Sequence, residues 1–269
     1  MRITCLVENT KGHPLCRFEH GLSLFIETAA QKILLDAGQT DAALYNASVL
    51  GIDLSQLDRI FLSHGHYDHS GALFDIAQKS GAPVYMQKNA PETHVHGDRN
   101  IGIDPRILTL PNLVLLDGDV MIDDELSVFS GITGRRCFPN GNLELETVRD
   151  GRRMQDDFAH EQCLVLRQNR KSILLSGCAH NGILNILDRF TALYGDDPDY
   201  VITGFHMMKA AEHTEAEKAV IRETAEELKT KKTVYFSGHC TGAPAFELLQ
   251  SILGDRLIAM HSGEVLLEL

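Results

Sequence analysis

Arg59-Ile60-Phe61-Leu62-Ser63-His64-Gly65-His66-Tyr67-Asp68-His69 is the stretch on which this chain's fold and chemistry turn. Arg59 to Ser63 has the length and apolar character of a short buried strand, and it runs straight into the histidine cluster. His64, His66, Asp68 and His69 are four potential metal ligands in six residues. Two imidazoles at i and i+2 after a strand can point the same way and chelate one ion. Gly65 between them lets the backbone turn tightly. Asp68 and His69 then face a neighbouring position and can hold a second ion. Imidazole and carboxylate donors suit zinc, and also manganese, iron or nickel. A solvated polar loop would need this cluster to arise by chance directly after a buried strand.

Strand-length apolar runs recur on both sides. Ile3 to Val7, Leu22 to Thr28 and Lys32 to Leu35 read as an antiparallel meander. Asp36-Ala37-Gly38 closes it, and a helix from Asp41 to Leu50 follows with Gly51 placed as its cap. After the cluster come a helix from Gly71 to Lys79 and a strand from Val84 to Gln87. Asn89 to Pro111 lacks periodicity and reads as a long functional loop. The second half opens with strands around Leu113 to Leu116 and Leu126 to Ser130, while the polar stretch Thr133 to Phe158 gives no assignment. Strands Cys163 to Arg167 and Ser172 to Leu175, a helix from Gly182 to Tyr194 and a strand Tyr200 to Thr203 come next. Thr214-Glu215-Ala216-Glu217 is a capping box opening an amphipathic helix with a basic end. Thr233 to Phe236 then leads into Gly238-His239-Cys240, a last helix and a closing hairpin. The order suggests two similar β-rich halves with helices outside, in one domain spanning 1–269.

Composition narrows the partners. With 43% hydrophobic and 23% charged residues the chain is an ordinary globular sequence without a linker. A net charge of -12 argues against nucleic acid or an anionic membrane, both of which need a basic footprint. An anionic substrate stays open, because bound cations reverse the local sign. MRITCLVENT reads as a strand rather than a signal peptide, and no stretch has the apolar length of a membrane span. Six scattered cysteines suit free thiols, which places the expected location in the cytoplasm. The oligomeric state is not readable.

His64-Gly-His66-Tyr-Asp68-His69 resembles the HxHxDH motif of the metallo-β-lactamase superfamily. Leu34-Leu35-Asp36-Ala37-Gly38 resembles the strand and Asp that precede it there, with the Asp supporting the metal loop from behind. Val234 to His239 resembles the late strand that ends in a metal-binding His. The resemblance implies an α/β fold of the α+β type, a four-layer αββα sandwich of two mixed β-sheets. Asp157-Phe-Ala-His160-Glu161-Gln162, Ser176 to Gly182, Gly204-Phe205-His206 and His239-Cys240-Thr241-Gly242 resemble one branch of that superfamily. It contains archaeal dihydropterin-aminobenzene ribofuranosyl phosphate synthases, and its bacterial members are mostly described as metal-dependent hydrolases.

The resemblance also implies a ligand set: His64, His66 and a third His for one ion, then Asp68, His69, a bridging Asp and late His239 for the other. The bridging position departs from the pattern, because Ile173 to Gly177 is followed by Cys178 and then His180. His180 is the preferred ligand, with Cys178 as a neighbour or thiolate donor. His160 competes for the third place on the first ion, or lines a substrate pocket with Glu161. His206 is a candidate substrate contact. His94 and His96, beside Lys88 and Arg99, read as a solvated loop able to grip a phosphate or carboxylate. His13, His20, His213 and His261 have no constellation and read as structural.

The leading expectation is a hydrolase acting on a small ester, lactone, thioester or phosphate-containing metabolite. A hydroxide held by two divalent ions attacks, and Asp68 orients it and accepts its proton. The alternative is a transferase joining a pterin pyrophosphate to an aminobenzene ribofuranosyl phosphate, with Lys88, Arg99 or Arg135-Arg136 holding phosphate. A non-catalytic metal-binding or redox protein is the third class. It is disfavoured because the motif is intact and flavodiiron relatives place Glu where His66 stands.

Overall fold

The computed structural model describes all residues, Met1–Leu269. Two seven-stranded sheets face each other. In spatial order the first runs Val265–Glu268, Arg2–Val7, Ser23–Glu27, Lys32–Leu35, Arg59–Phe61, Val84–Gln87 and Leu113–Leu116. Its first three pairings are antiparallel and its last three parallel. The second runs Leu257–Ala259, Val234–Ser237, Tyr200–Ile202, Lys171–Leu175, Cys163–Gln168, Leu126–Phe129 and Val120–Met121. There the first three pairings are parallel and the rest antiparallel.

Period-two alternation explains the layering. Ile33 and Leu35 point into the inter-sheet core, while Leu34 between them packs under the outer helices. Opposite, Ile173 and Leu175 join the inter-sheet core and Leu174 faces outward. Such strands are apolar on both faces because both faces are covered. Ala42–Val49 and Leu73–Ser80 cover the first sheet; Ile183–Tyr194, Glu215–Lys229 and Ala243–Leu253 cover the second. The Thr214/Glu217 capping box is formed in both directions. This is the expected αββα sandwich, and all six cysteines are unpaired. No helix is long and apolar enough to cross a membrane.

Three local expectations are corrected. Asn89 to Pro111 is not merely a loop, because it supplies Thr93–His96 and Arg99–Asn100 to a third, four-stranded sheet. The partners Leu145–Arg149 and Arg152–Gln155 come from the stretch that gave no assignment. These strands carry little periodicity because their core is small, chiefly Ile101, Leu145 and Phe158. Leu113–Leu116 pairs with Val84–Gln87, so it completes the first sheet rather than opening the second. The last two strands form no hairpin: Leu257–Ala259 pairs with Val234–Ser237 and Val265–Glu268 with Arg2–Val7, in different sheets. Each buries an apolar residue in its own core, Leu257 and Leu267.

Candidate metal centre

The parallel strands of both sheets end at one rim. Lys32–Leu35 delivers Asp36, and Arg59–Phe61 delivers Ser63 and the loop to His69. Lys171–Leu175 delivers Cys178 and His180, and Val234–Ser237 delivers His239. Fully buried Asp36 anchors the loop. Its Oδ1 accepts the Ser63 N–H at 2.7 Å, and its Oδ2 accepts the Ser63 hydroxyl and the His69 Nδ1–H, each at 2.7 Å. Asp36 has φ 61°, a conformation uncommon for a residue with a Cβ. Nine non-glycine residues share it, and Asp36, Phe158, Ala179, His206 and His239 of these lie at this rim. Backbone strain concentrates where positions are dictated by more than local preference.

Four imidazoles are held alike. The Nδ1 of His64 meets Ser63 Oγ at 2.8 Å and that of His69 meets Asp36. The Nδ1 of His180 meets Asn142 Oδ1 at 2.9 Å, and that of His239 meets Asn9 Oδ1 at 2.9 Å. An oxygen acceptor at Nδ1 fixes the proton there and leaves a lone pair at Nε2. His64 Nε2 and His180 Nε2 are buried with no hydrogen-bond partner. Leaving a buried polar atom unpaired costs about 1–3 kcal/mol. Ligand atoms of His64, His66 and His180 lie within 4.8 Å of one another, so one ion would satisfy them together.

A second donor set is tighter. His69 Nε2 and His239 Nε2 face each other at 3.2 Å. Two lone pairs at that distance repel unless a cation or proton lies between them. Cys178 Sγ is 3.2 Å from His69 Nε2, and Asp68 Oδ2 is 3.3 Å from His239 Nε2 and 3.8 Å from His69 Nε2. An ion bound tetrahedrally at about 2.1 Å has ligands about 3.4 Å apart. The residues therefore fit a divalent ion.

Protonation agrees with this reading. Burial, reinforced by neighbouring histidines, pushes His64, His66 and His180 well below the ordinary imidazole value, so they are neutral as ligation requires. Burial alone would lower His69 too, but Asp36 and Asp68 outweigh it and push it up. Burial also pushes the Cys178 thiol well up, so it becomes a thiolate only with an ion beside it.

The geometry separates the competing ligands. His180 joins His64 and His66, whereas His160 lies with His94 and Asp156 around His66. His160 is committed: Nδ1 accepts the Gly65 N–H at 2.9 Å and Nε2 meets Asp156 Oδ2 at 3.3 Å. Glu161 lines neither of the two cavities at this rim. It is buried and accepts the His180 N–H at 2.6 Å, the Asn181 N–H at 2.9 Å and the Asn181 side chain at 2.8 Å. Cys178 sits among His64, His69, His239 and Cys240, within reach of the same ion. His206 lies 4.2 Å from His180 ring to ring, with a buried, unpartnered Nδ1.

Other readings are overturned. His20 is not remote, because its Nε2 lies 3.2 Å from Asp68 Oδ2 and its ring 4.8 Å from that of His239. His94 is buried, not solvated, and only His96 is exposed. The cations named for phosphate are engaged elsewhere. Lys88 pairs with Asp117, Arg99 lies over the Tyr67 ring, and Arg136 pairs with Asp188 and Glu227. Arg135 bonds Asn181 and nearby carbonyls. Sequence reasoning missed Glu8, whose carboxylate accepts the His239 N–H at 2.5 Å, together with Asn9, Asn142 and Asp156. The one available signal was the polar triplet Glu8-Asn9-Thr10 at a strand exit, the same context as Ser63-His64.

Asp68, Cys178, His180 and His206 line a small cavity of about 80 Å³. His206 and Met208 also line a larger groove of about 780 Å³ walled by Leu145, Met207, Val220 and Ile221. Its charged side chains pair among themselves, Lys209 with Glu217 at 2.7 Å and His96 with Glu144 at 3.0 Å.

Residues 16–239, which include the rim from Asp36 to His239, match the model of the metallo-beta-lactamase superfamily. This chain belongs to that superfamily. Among its curated relatives, an uncharacterized protein of Methanocaldococcus jannaschii is 28% identical over 98% of this chain and 99% of its own length. From the same organism, 7,8-dihydropterin-6-methyl-4-(beta-D-ribofuranosyl)-aminobenzene-5'-phosphate synthase is 27% identical over 92% of this chain and 90% of its own. The crystal structure of Tm1679, a metal-dependent hydrolase of the beta-lactamase superfamily, superposes with a TM-score of 0.85 at 28% identity. That match covers 100% of this chain and 99% of the other.

Proposed function

We propose that this superfamily member is a hydrolase with two divalent ions, acting on a small ester, lactone or thioester with a mainly apolar body. The observation that carries it is the convergence of Asp68, His69, Cys178 and His239 at tetrahedral-edge separations, beside the unpartnered nitrogens of His64 and His180. Two His-rich donor sets that include a sulfur favour zinc over magnesium or calcium. The chemistry divalent ions supply at such a centre is polarisation of a carbonyl or phosphoryl oxygen and activation of water near neutral pH.

The chain's own groups have separate tasks. Asp68 is both ligand and proton acceptor. Burial alone would raise its carboxyl, but His69, His20 and His239 outweigh that and hold it well down, ionised. His20, 37% exposed at its side chain, bonds Asp68 Oδ2 and can pass that proton to solvent. His206 Nδ1, unpartnered where the small cavity meets the groove, orients the substrate's polar group. The groove takes the rest, and its size suits a metabolite-sized ligand.

The likeness to the archaeal synthase supports a second reading, transfer of a pterin pyrophosphate group to an aminobenzene ribofuranosyl phosphate. Against it stand the internal pairing of the groove's charges and the engagement of Lys88, Arg99 and Arg136 elsewhere. A reducing cytoplasm is the location that suits six free thiols.

The test is elemental analysis of purified protein, followed by an ester, lactone and thioester screen in water alone. About two ions per chain, one lost in His239→Ala, with turnover needing no second organic substrate, is the expected result. Product formed only when an aromatic amine is added would replace the hydrolase with the transferase.

A further inference from the structure

His239 belongs to two donor groups of opposite chemical character. Its ligand atom lies within 4.8 Å of those of His20 and Asp68, and likewise within 4.8 Å of those of Cys178 and Cys240. The first group brings a carboxylate oxygen and the second brings two sulfurs. Oxygen and sulfur donors sort metals by softness: carboxylate suits harder ions, and thiolate suits soft ones.

Cys240 has so far had no task. It follows His239 directly, so the strand Val234–Ser237 that delivers the imidazole delivers the thiol as well. Buried Cys240 lines the cavity of about 80 Å³ together with Asp68, Cys178, His180 and His206. Its Sγ has room because residue 204 is glycine, where a Cβ would press into the sulfur. The thiol is only weakly engaged, its S–H donating to the Cys178 carbonyl at 3.6 Å. Cys5 and Cys163, by contrast, are packed into the cores of the two sheets.

We propose that the second ion position is convertible: zinc takes Asp68 beside His69, Cys178 and His239, whereas a soft divalent cation of the cadmium class takes Cys240 in place of Asp68. This rests on the metal-centre reading above. The exchange strands neither group. Asp68, once released, keeps His20, whose Nε2 lies 3.2 Å from Oδ2. Cys240 gives up only its weak S–H bond, and both thiols pass their protons to solvent as they bind. Two sulfurs on one tetrahedral ion at about 2.3 Å stand about 3.8 Å apart, which the 4.8 Å bound on Cys178 and Cys240 accommodates. An ion held in this way no longer touches Asp68, the group assigned above to accept the proton. The pair of sulfurs is thus a binding site for soft cations that competes with the oxygen-bearing one.

The experiment uses full-length protein loaded with zinc(II) or cadmium(II), in wild type, Cys178→Ser, Cys240→Ser and Asp68→Asn. It reads affinity by competition with a chelator, and counts thiolates by the intensity of the sulfur-to-cadmium charge-transfer band. Thermal melts of the metal-free forms check folding. Wild type should show a band of two-thiolate intensity, halved in Cys178→Ser and in Cys240→Ser. Cys240→Ser should weaken cadmium by more than the roughly 10–100-fold that loss of a supporting residue costs, with zinc affinity unchanged. Asp68→Asn should do the reverse, weakening zinc and sparing cadmium. Should Cys240→Ser fail to fold, the wild-type band and the zinc-to-cadmium comparison in Asp68→Asn decide. A one-thiolate band in wild type, or equal loss of zinc and cadmium in folded Cys240→Ser, would overturn the exchange while leaving the metal centre standing. Wild type that binds neither ion would overturn both.

Discussion

Asp36→Asn changes one atom of a fully buried side chain and should weaken the hold on one ion. Asp36 accepts three hydrogen bonds, from Ser63 N, Ser63 Oγ and His69 Nδ1. An amide offers one oxygen and one NH2 group. With the oxygen facing Ser63 N–H, the NH2 faces His69 Nδ1, and His69 relieves that conflict by moving its proton to Nε2. That is the atom 3.2 Å from His239 Nε2 and Cys178 Sγ, so the lone pair leaves the donor set. With the amide reversed, the conflict falls on the buried Ser63 N–H instead, at about 1–3 kcal/mol. Loss of such a supporting bond weakens a metal by about 10–100-fold, or about 1.4–2.8 kcal/mol. The melting temperature of the metal-free form should fall by only about 2–10 °C for a chain of this size. Chelator competition with elemental analysis should then show one ion held as in wild type and one weakened. Both ions retained at wild-type affinity would refute the assigned role of Asp36 and the tautomer argument with it.

A Cβ on Gly177 would lie 2.9 Å from His64 Nδ1 and press on Ser63 Oγ, so Gly177→Ala should displace that hydroxyl and weaken the first ion. An unchanged titration would show that the rim can yield. Glu161→Gln, which sets an NH2 against the N–H of His180 or Asn181, should lower affinity through His180 by about tenfold without loss of fold by circular dichroism. Thr214→Ala should cost about 1 kcal/mol in urea unfolding by removing the capping box, with metal content untouched, which makes it the negative control. Burial pushes the Cys178 thiol well up, so an ion that takes it as a ligand must displace its proton. Zinc affinity should therefore rise with pH, about tenfold per unit for that one proton, and more shallowly in Cys178→Ser. Calorimetry in two buffers checks this, and a flat profile would remove Cys178 from the donor set.

Two β-rich halves with helices outside were legible because the central strands are apolar on both faces and bounded by turn residues, as in Ile60-Phe61-Leu62 before Ser63, while the sandwich itself came from the family resemblance. The loop from His64 to His69 was legible because its donors are contiguous. His94 and Asp156 were not, since their meeting depends on pairing Thr93–His96 with Leu145–Arg149, strands too short and too exposed to show a period. Glu8 and His20 belong to the centre only because Arg2–Val7 adjoins the rim where His239 emerges, a contact across 231 positions that no local pattern encodes. Choosing among His160, Cys178 and His180 also needed three dimensions. They share a short stretch of chain but lie on different sides of His64 and His66.

The two donor sets draw on both halves of the chain: His64 to His69 leave the first sheet, while Cys178, His180 and His239 leave the second. During synthesis the first cluster emerges long before the residues that complete either set. An early-captured ion would be held by half its ligands and exchange readily, so metal choice would be deferred until the second sheet has docked. The finished centre is then a clasp between the halves. On the proposed two-ion reading, the metal kept would be the one on offer when the second sheet docks, and not the one the nascent chain met first.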